Sequence, residues 1–171
     1  QLMKYIGTNG VVAYGIIMYT GFIFSGTYIG YSLGSAPVIS YHYGAGNKKE
    51  LKSLFKHSII LLVISSVIMT LLAEVLAKYL AEIFVSYDKQ LLELTTTAIR
   101  IYSVSYLISE LNIFASSFFT ALNNGFVSAV ISFLRMFLFQ IIMILLLPVI
   151  IGINGIWIAV TAAESLALVV S

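Results

Sequence analysis

"YHYGAGNKKELKSLFK", residues 41–56, gathers four of the chain's nine basic residues, Lys48, Lys49, Lys52 and Lys56, directly after a Gly-Ala-Gly turn. Asn47 is a good helix N-cap, and Glu50 falls at the third helical position, the spacing of a capping box. A short amphipathic helix therefore begins here and continues into the next apolar run. In that run, residues 58–77, "SIILLVISSVIMTLLAEVLA" has one charged side chain, Glu74. About 20 helical residues suffice to cross ~30 Å of hydrocarbon, so the stretch reads as the entry of a membrane span.

The rest of the chain repeats this pattern. Of its 171 residues 60% are hydrophobic and 9% charged, and the mean hydropathy is +1.04. Soluble domains carry about a quarter charged residues, and so few charges cannot cover a water-facing surface. The expected fold class is all-α, a polytopic membrane helix bundle of about five transmembrane helices at 11–40, 54–84, 91–122, 126–150 and 155–171. The intervening turns are "GAGN", "SYDKQ", "NNG" and "PVIIGING", the last with Pro148, Gly152 and Gly155. A spanning barrel would require alternating apolar and polar positions, and these runs are continuously apolar.

The net charge of +2 gives no reason to expect nucleic acid, and the lack of cysteine excludes disulfides and thiolate metal sites. No signal peptide is visible. A start at Gln1 and an end inside "LALVVS" are expected of a segment of a longer chain. Lys and Arg beside spans stay cytoplasmic, which puts loop 41–56 inside. Counting spans then puts Asp88 outside, "LNNG" inside, "GING" outside and the C-terminus inside. Lys78, Lys89 and Arg100 flank the outer loop and oppose this count.

Gly26, Gly30 and Gly34 recur at i, i+4, i+8, which predicts a smooth stripe for close helix packing or for sliding during a transport cycle. Pro37 removes a backbone donor and should loosen or kink the inner end of that helix. Glu74 and Lys78, at i and i+4, predict a boundary ion pair.

Three ionisable residues stand in mid-span, where a charge costs about 2.5–3.5 kcal/mol even on insertion scales. Glu110 shares a helix face with Ser103, Tyr106 and Ser117. Burial favours the protonated form of a carboxyl, so Glu110 can either carry a proton or sit as a satisfied interhelical group. Arg135 lies 11 residues after Asn124, and Glu110 lies 13 before Asn123. Across an antiparallel turn these reach comparable depth, so Arg135 either pairs with Glu110 or snorkels to the surface. Glu164 shares a face with Trp157 and Thr161. This offers either charge and cation–π attraction for an amphipathic cation, or an interfacial Trp anchor with a satisfied Glu. His42 and His57 have no partner at ligand spacing, so no metal and no cofactor is expected. No phosphate loop or nucleophilic set points to an enzyme.

Taken together, the segments resemble the multidrug and toxic compound extrusion (MATE) transporters. "APVISYHYGAGNKKELKSLFKHS" resembles the family's signature after the second helix of a lobe. "FFTALNNGFVSAVISFLR" is similar to its turn between a lobe's fourth and fifth helices, and "IGINGIWIAVTAAE" to the opening of the last helix. The resemblance implies a partial C-terminal lobe spanning residues 1–171, helices eight to twelve of a twelve-helix, two-lobe transporter. Its partners would be the lipid bilayer, the missing N-terminal lobe, the missing first helix of this lobe and a cationic small molecule. It also implies export of cationic amphipathic compounds across a plasma (bacterial inner) membrane in exchange for H⁺ or Na⁺. Glu110 and Glu164 would supply negative charge, Tyr106 and Trp157 aromatic surface, with Arg135 nearby. A flippase of lipid-linked saccharides, sharing the architecture, and a non-transporting scaffold or remnant are the competing readings.

Overall fold

The computed structural model describes residues 1–171, and its regular structure is entirely helical. A short α1 (Leu2–Tyr5) precedes the long α2 (Thr8–Gly44) and α3 (Lys48–Val85), followed by α4 (Lys89–Ser103) and α5 (Tyr106–Ala121). Next, α6 (Gly125–Phe133) runs through a π-helical segment, Leu134–Phe139, into α7 (Gln140–Ile151), and α8 (Ile153–Val170) closes the chain. α2, α3, the continuous helix Gly125–Ile151 and α8 are each long and apolar enough to cross a bilayer.

The expected third span, 91–122, is divided rather than continuous. α4 has 15 residues and α5 has 16, about 46 Å end to end at ~1.5 Å per residue. Val104 and Ser105 between them keep right-handed helical angles. The ladder tightens there, with the Ser105 N–H donating to the Tyr102 carbonyl at 2.9 Å. The Ser103 hydroxyl contributes to the break, because it competes for the Arg100 carbonyl that a regular helix would use. Ser103 Oγ stands 2.7 Å from the Arg100 carbonyl and 2.9 Å from Glu74 Oε1, and its one proton is shared between these acceptors.

Two turns at the basic-loop end share one geometry. After α2, Gly46 (φ 68°) sits left-handed; its N–H reaches Tyr43 O at 3.0 Å, and the Asn47 N–H reaches His42 O at 2.9 Å. After α5, Asn123 (φ 60°) does the same toward Thr120 O, and Asn124 toward Phe119 O, both at 2.9 Å. Both are Schellman closures, and in each the following Asn caps the next helix. Asn47 Oδ1 accepts from the Glu50 N–H at 3.2 Å, and Asn124 Oδ1 from the Val127 N–H at 3.3 Å. The α3 cap is thus formed in its forward half, while the Asn47 N–H serves α2. Asp88 caps α4, accepting from the Gln90 and Leu91 N–H groups at 2.9 and 3.1 Å.

The interior is stacked in three apolar layers. One holds Ala13, Ile17, Ala77, Ala81, Leu91 and Trp157. The next holds Phe24, Tyr28, Ala73 and Tyr106, and the last Ile39, Leu62, Phe114 and Ala121. The close-packed stripe of small residues lies on α3, as Ser58, Ser66, Thr70, Ala73, Ala77 and Ala81, all buried. Gly26, Gly30 and Gly34 pack against none of the helices of residues 1–171. A Cβ at any of them would meet nothing within 4 Å. The buried face of α2 is carried by Ala13, Ile17, Thr20, Phe24, Tyr28 and Ser32, and the glycines lie away from it. They form an open surface within these residues. α2 continues through Pro37 to Gly44.

The Glu74–Lys78 pair is also corrected. Lys78 pairs with Glu82 at 3.7 Å, while Glu74 faces Arg100 at 3.8 Å and accepts from Ser103 Oγ at 2.9 Å. Between α7 and α8 the chain turns at Gly152 (φ 65°), and Gly155 packs directly on the Leu147–Pro148 peptide. A Cβ there would collide with the Leu147 carbonyl and stand 2.8 Å from Pro148 N. Gly155→Ala is expected to cost about 1–3 kcal/mol of overpacking, read as a lowered thermal midpoint of the full-length protein in detergent.

Candidate functional site

α5 divides the polar interior into two parts. Glu110 and Asn112, two residues apart, point about 200° apart around the helix. On one side Glu110, 1% exposed, lies among Tyr28 of α2 and Ser65 of α3. Its Oε2 and the Tyr28 hydroxyl are buried without a hydrogen-bond partner. Tyr106, one turn earlier, closes this region with rings, at 5.2 Å from Phe24, 6.4 Å from Tyr28 and 5.8 Å from Tyr102 between centroids.

On the other side Asn112, fully buried, reaches α8. Its Nδ2 donates to Glu164 Oε2 at 2.6 Å and to the Glu164 carbonyl at 2.9 Å. Its Oδ1 accepts from Ser171 Oγ at 3.1 Å. The guanidinium Nε of Arg135, on the π-helical segment, stands 3.9 Å from Glu164 Oε1. Both side chains are about 15% exposed, at 15% and 14%. Arg135 therefore pairs with Glu164, not with Glu110, and does not snorkel. The carboxylate is held by two elements besides its own, and its charge is offset by the guanidinium.

The predicted site residues thus fall into separate groups. Glu164 and Arg135 come together; Glu110 and Tyr106 share the opposite side of α5. Trp157 is sealed in the first apolar layer with Ala13, Ile17 and Leu91, 3% exposed. It is neither an interfacial anchor nor an aromatic face beside Glu164, which lies seven residues, about 10 Å, further along α8. Sequence reasoning missed Asn112, Tyr28 and Ser32. An amide in mid-span, two residues from the singled-out Glu110, was the available signal for Asn112.

α5 and α6 are joined by a third polar feature. Thr120 Oγ1 donates to Ser128 Oγ at 2.7 Å, and Ser116 Oγ contacts Ser128 Oγ at 3.0 Å and Ser132 Oγ at 2.7 Å. A cavity of about 240 Å³ lies beside it, lined by Ser32, Ser116, Ser117, Ser132 and Arg135 with apolar Ile29, Leu33 and Ile113.

Long apolar helices that enclose ionisable side chains define a polytopic membrane bundle of the kind from which transporters are built. The MatE family model matches residues 2–146, and the chain belongs to the MATE family of transporters. None of the curated proteins matches it. Among solved structures, the Vibrio cholerae MATE transporter VcmN in the bent form superposes with a TM-score of 0.87 at 22% identity, over 95% of this chain and 37% of that one. A MOP superfamily transporter from Pyrococcus furiosus gives 0.90 at 18%, over 99% and 38%. A multidrug resistance MATE family transporter in an outward-facing conformation gives 0.87 at 18%, over 99% and 38%. The chain spans less than two-fifths of the length of these structures.

Because Arg135 and Glu164 neutralise one another, removing one partner leaves an uncompensated charge, which costs about 3 kcal/mol or more. Arg135→Ala should lower the thermal midpoint of the full-length protein, and adding Glu164→Gln should recover most of the loss. Adding Glu110→Gln to Arg135→Ala should recover none of it.

Proposed function

We propose that this chain is part of the C-terminal lobe of a secondary active antiporter that exports cationic amphipathic compounds in exchange for H⁺ or Na⁺. The observation that carries the reading is Glu110. Its carboxyl is buried on α5, which packs on α2 and α3, and one of its oxygens has no hydrogen-bond partner, as is true of the Tyr28 hydroxyl. A buried charge without a partner is costly, and a proton or a desolvated Na⁺ on Glu110 relieves that cost. Exchange follows if a cationic cargo and the coupling ion alternate as the partner of this one carboxylate. Glu164, already balanced by Arg135, holds α5, α8 and the π segment together and takes no direct part in coupling.

The remainder of the reading follows from the family. The second lobe and the first helix of this one lie outside these residues, and the open Gly26–Gly30–Gly34 face of α2 is available to pack against them. The protein sits in the plasma membrane with loop 41–56 in the cytoplasm, on the strength of Lys48, Lys49, Lys52 and Lys56.

Glu110→Gln in the full-length protein should abolish ion-coupled efflux of a cationic dye from proteoliposomes, a loss of at least tenfold, while folding yield is retained. Efflux that keeps its rate and its ion dependence would reject the coupling role. Lys49→Cys should react with a membrane-impermeant maleimide only after cells are opened; labelling of intact cells would reverse the orientation.

A further inference from the structure

The hydroxyls of Thr120, Ser128, Ser116 and Ser132 form a series between α5 and α6. Thr120 donates to Ser128. Ser116 is the sole partner of the Ser132 hydroxyl, which keeps hydrogen-bonding capacity to spare. Ser132 lines the 240 Å³ cavity, as do two further groups with unused hydrogen-bonding capacity. Ser32 is 3% exposed and its Oγ has no partner. Arg135 Nη1 is buried and also has none.

No carboxylate lines the cavity. Its Ser32 carbonyl already accepts from Ser35 and Ser117, both at 3.2 Å. Glu164 occupies only the Nε edge of the guanidinium, at 3.9 Å, and Asn112 draws on the same carboxylate. What faces the space is therefore a cation edge and hydroxyl donors, the complement of an anion. Beside them the cavity wall is apolar, formed by Ile29, Leu33 and Ile113.

From this geometry we infer that the cavity between α2, α5, α6 and the π segment binds the anionic head group, a carboxylate or a phosphate, of an amphipathic molecule. Arg135 Nη1, Ser32 and Ser132 are its donors, and the apolar part of the ligand lies against Ile29, Leu33 and Ile113. Nothing in this depends on Glu110, which faces the other side of α5. The site goes beyond the exchange of cations proposed above.

The test uses full-length protein in phosphatidylcholine nanodiscs, titrated calorimetrically with hexyl phosphate, with hexanoate and, as the chain-matched cation, with hexyltrimethylammonium. At least one anion should bind. Glu164→Gln, by freeing the guanidinium, should tighten it about tenfold. Arg135→Gln added to Glu164→Gln should weaken it about tenfold or more, the scale of a lost charge-assisted bond. Ser32→Ala with Ser132→Ala, which leaves the ion pair intact, should weaken it several-fold. The cation's affinity should be unchanged throughout.

Failure of both anions to bind, or anion binding that ignores the Arg135 and the serine changes alike, overturns the assignment. So does a parallel loss of the cation, which marks a packing defect. Replacing part of the phosphatidylcholine by phosphatidylglycerol separates the two sources of the chemistry. Competition with hexyl phosphate assigns the site to a lipid head group, and its absence to a soluble amphiphile. The readout is equilibrium binding, so its failure and a failure of ion-coupled efflux are distinct results.

Discussion

In hydrocarbon there is no water to satisfy a buried carboxylate, so Glu164 must find every partner among side chains and backbone. It finds them on two other elements: the Asn112 amide from α5 at 2.6 Å and the Arg135 guanidinium from the π segment at 3.9 Å. Three stretches far apart in sequence are thereby tied at one depth. Apolar contacts between lipid-soluble helices are weakly directional, because lipid tails compete for the same surfaces. A three-way polar clasp is directional, and it sets the rotation of α5 about its own axis. With Asn112 committed to α8, Glu110 has to face α2 and α3.

That rotation separates two chemistries that the sequence places on one short segment. The Asn112 side is saturated: the amide uses both of its hydrogen-bonding ends, and the acid is balanced by a base. The Glu110 side is unsaturated, with an orphaned carboxyl oxygen and an orphaned phenol. The first arrangement is suited to holding helices, the second to taking up a small cation. The hydroxyl series, Ser116 and Thr120 of α5 with Ser128 and Ser132 of α6, lies toward the basic-loop end.

Much of the fold is legible in the sequence because its causes are local. Continuous apolar runs define the helices, Asn47, Asp88 and Asn124 cap them, and Gly46 and Asn123 take the left-handed angles that close the preceding ones. The break at Val104–Ser105 is not legible, since a hydroxyl that competes for a carbonyl leaves the apolar run uninterrupted. For the glycine stripe, spacing shows that three positions share a face, not what covers that face. The small residues that do pack, Ala73, Ala77 and Ala81 on α3, look like ordinary span residues. For the site, depth is legible and azimuth is not. Counting from "NNG" puts Arg135 level with Glu110. Yet the π segment and the Asn112 commitment turn the two apart, and Glu164 comes from a helix that the count does not include. Trp157 and Glu164 share a face, but a separation of seven residues puts them in different layers.

The segment Leu134–Phe139 has one further consequence. A π turn carries one residue more than an α turn, so everything beyond it is rotated by about 100° relative to an uninterrupted helix. Pro148 and the Leu147 carbonyl, which seat Gly155 at the mouth of α8, lie on the far side of that surplus residue; Ser128 and Ser132, which lock α6 to α5, lie on the near side. The helix acts as a coupling with a fixed angular offset between two anchored ends. Shortening it by a single residue anywhere in this segment would put the two anchors out of phase, although every apolar run and every turn would still be present.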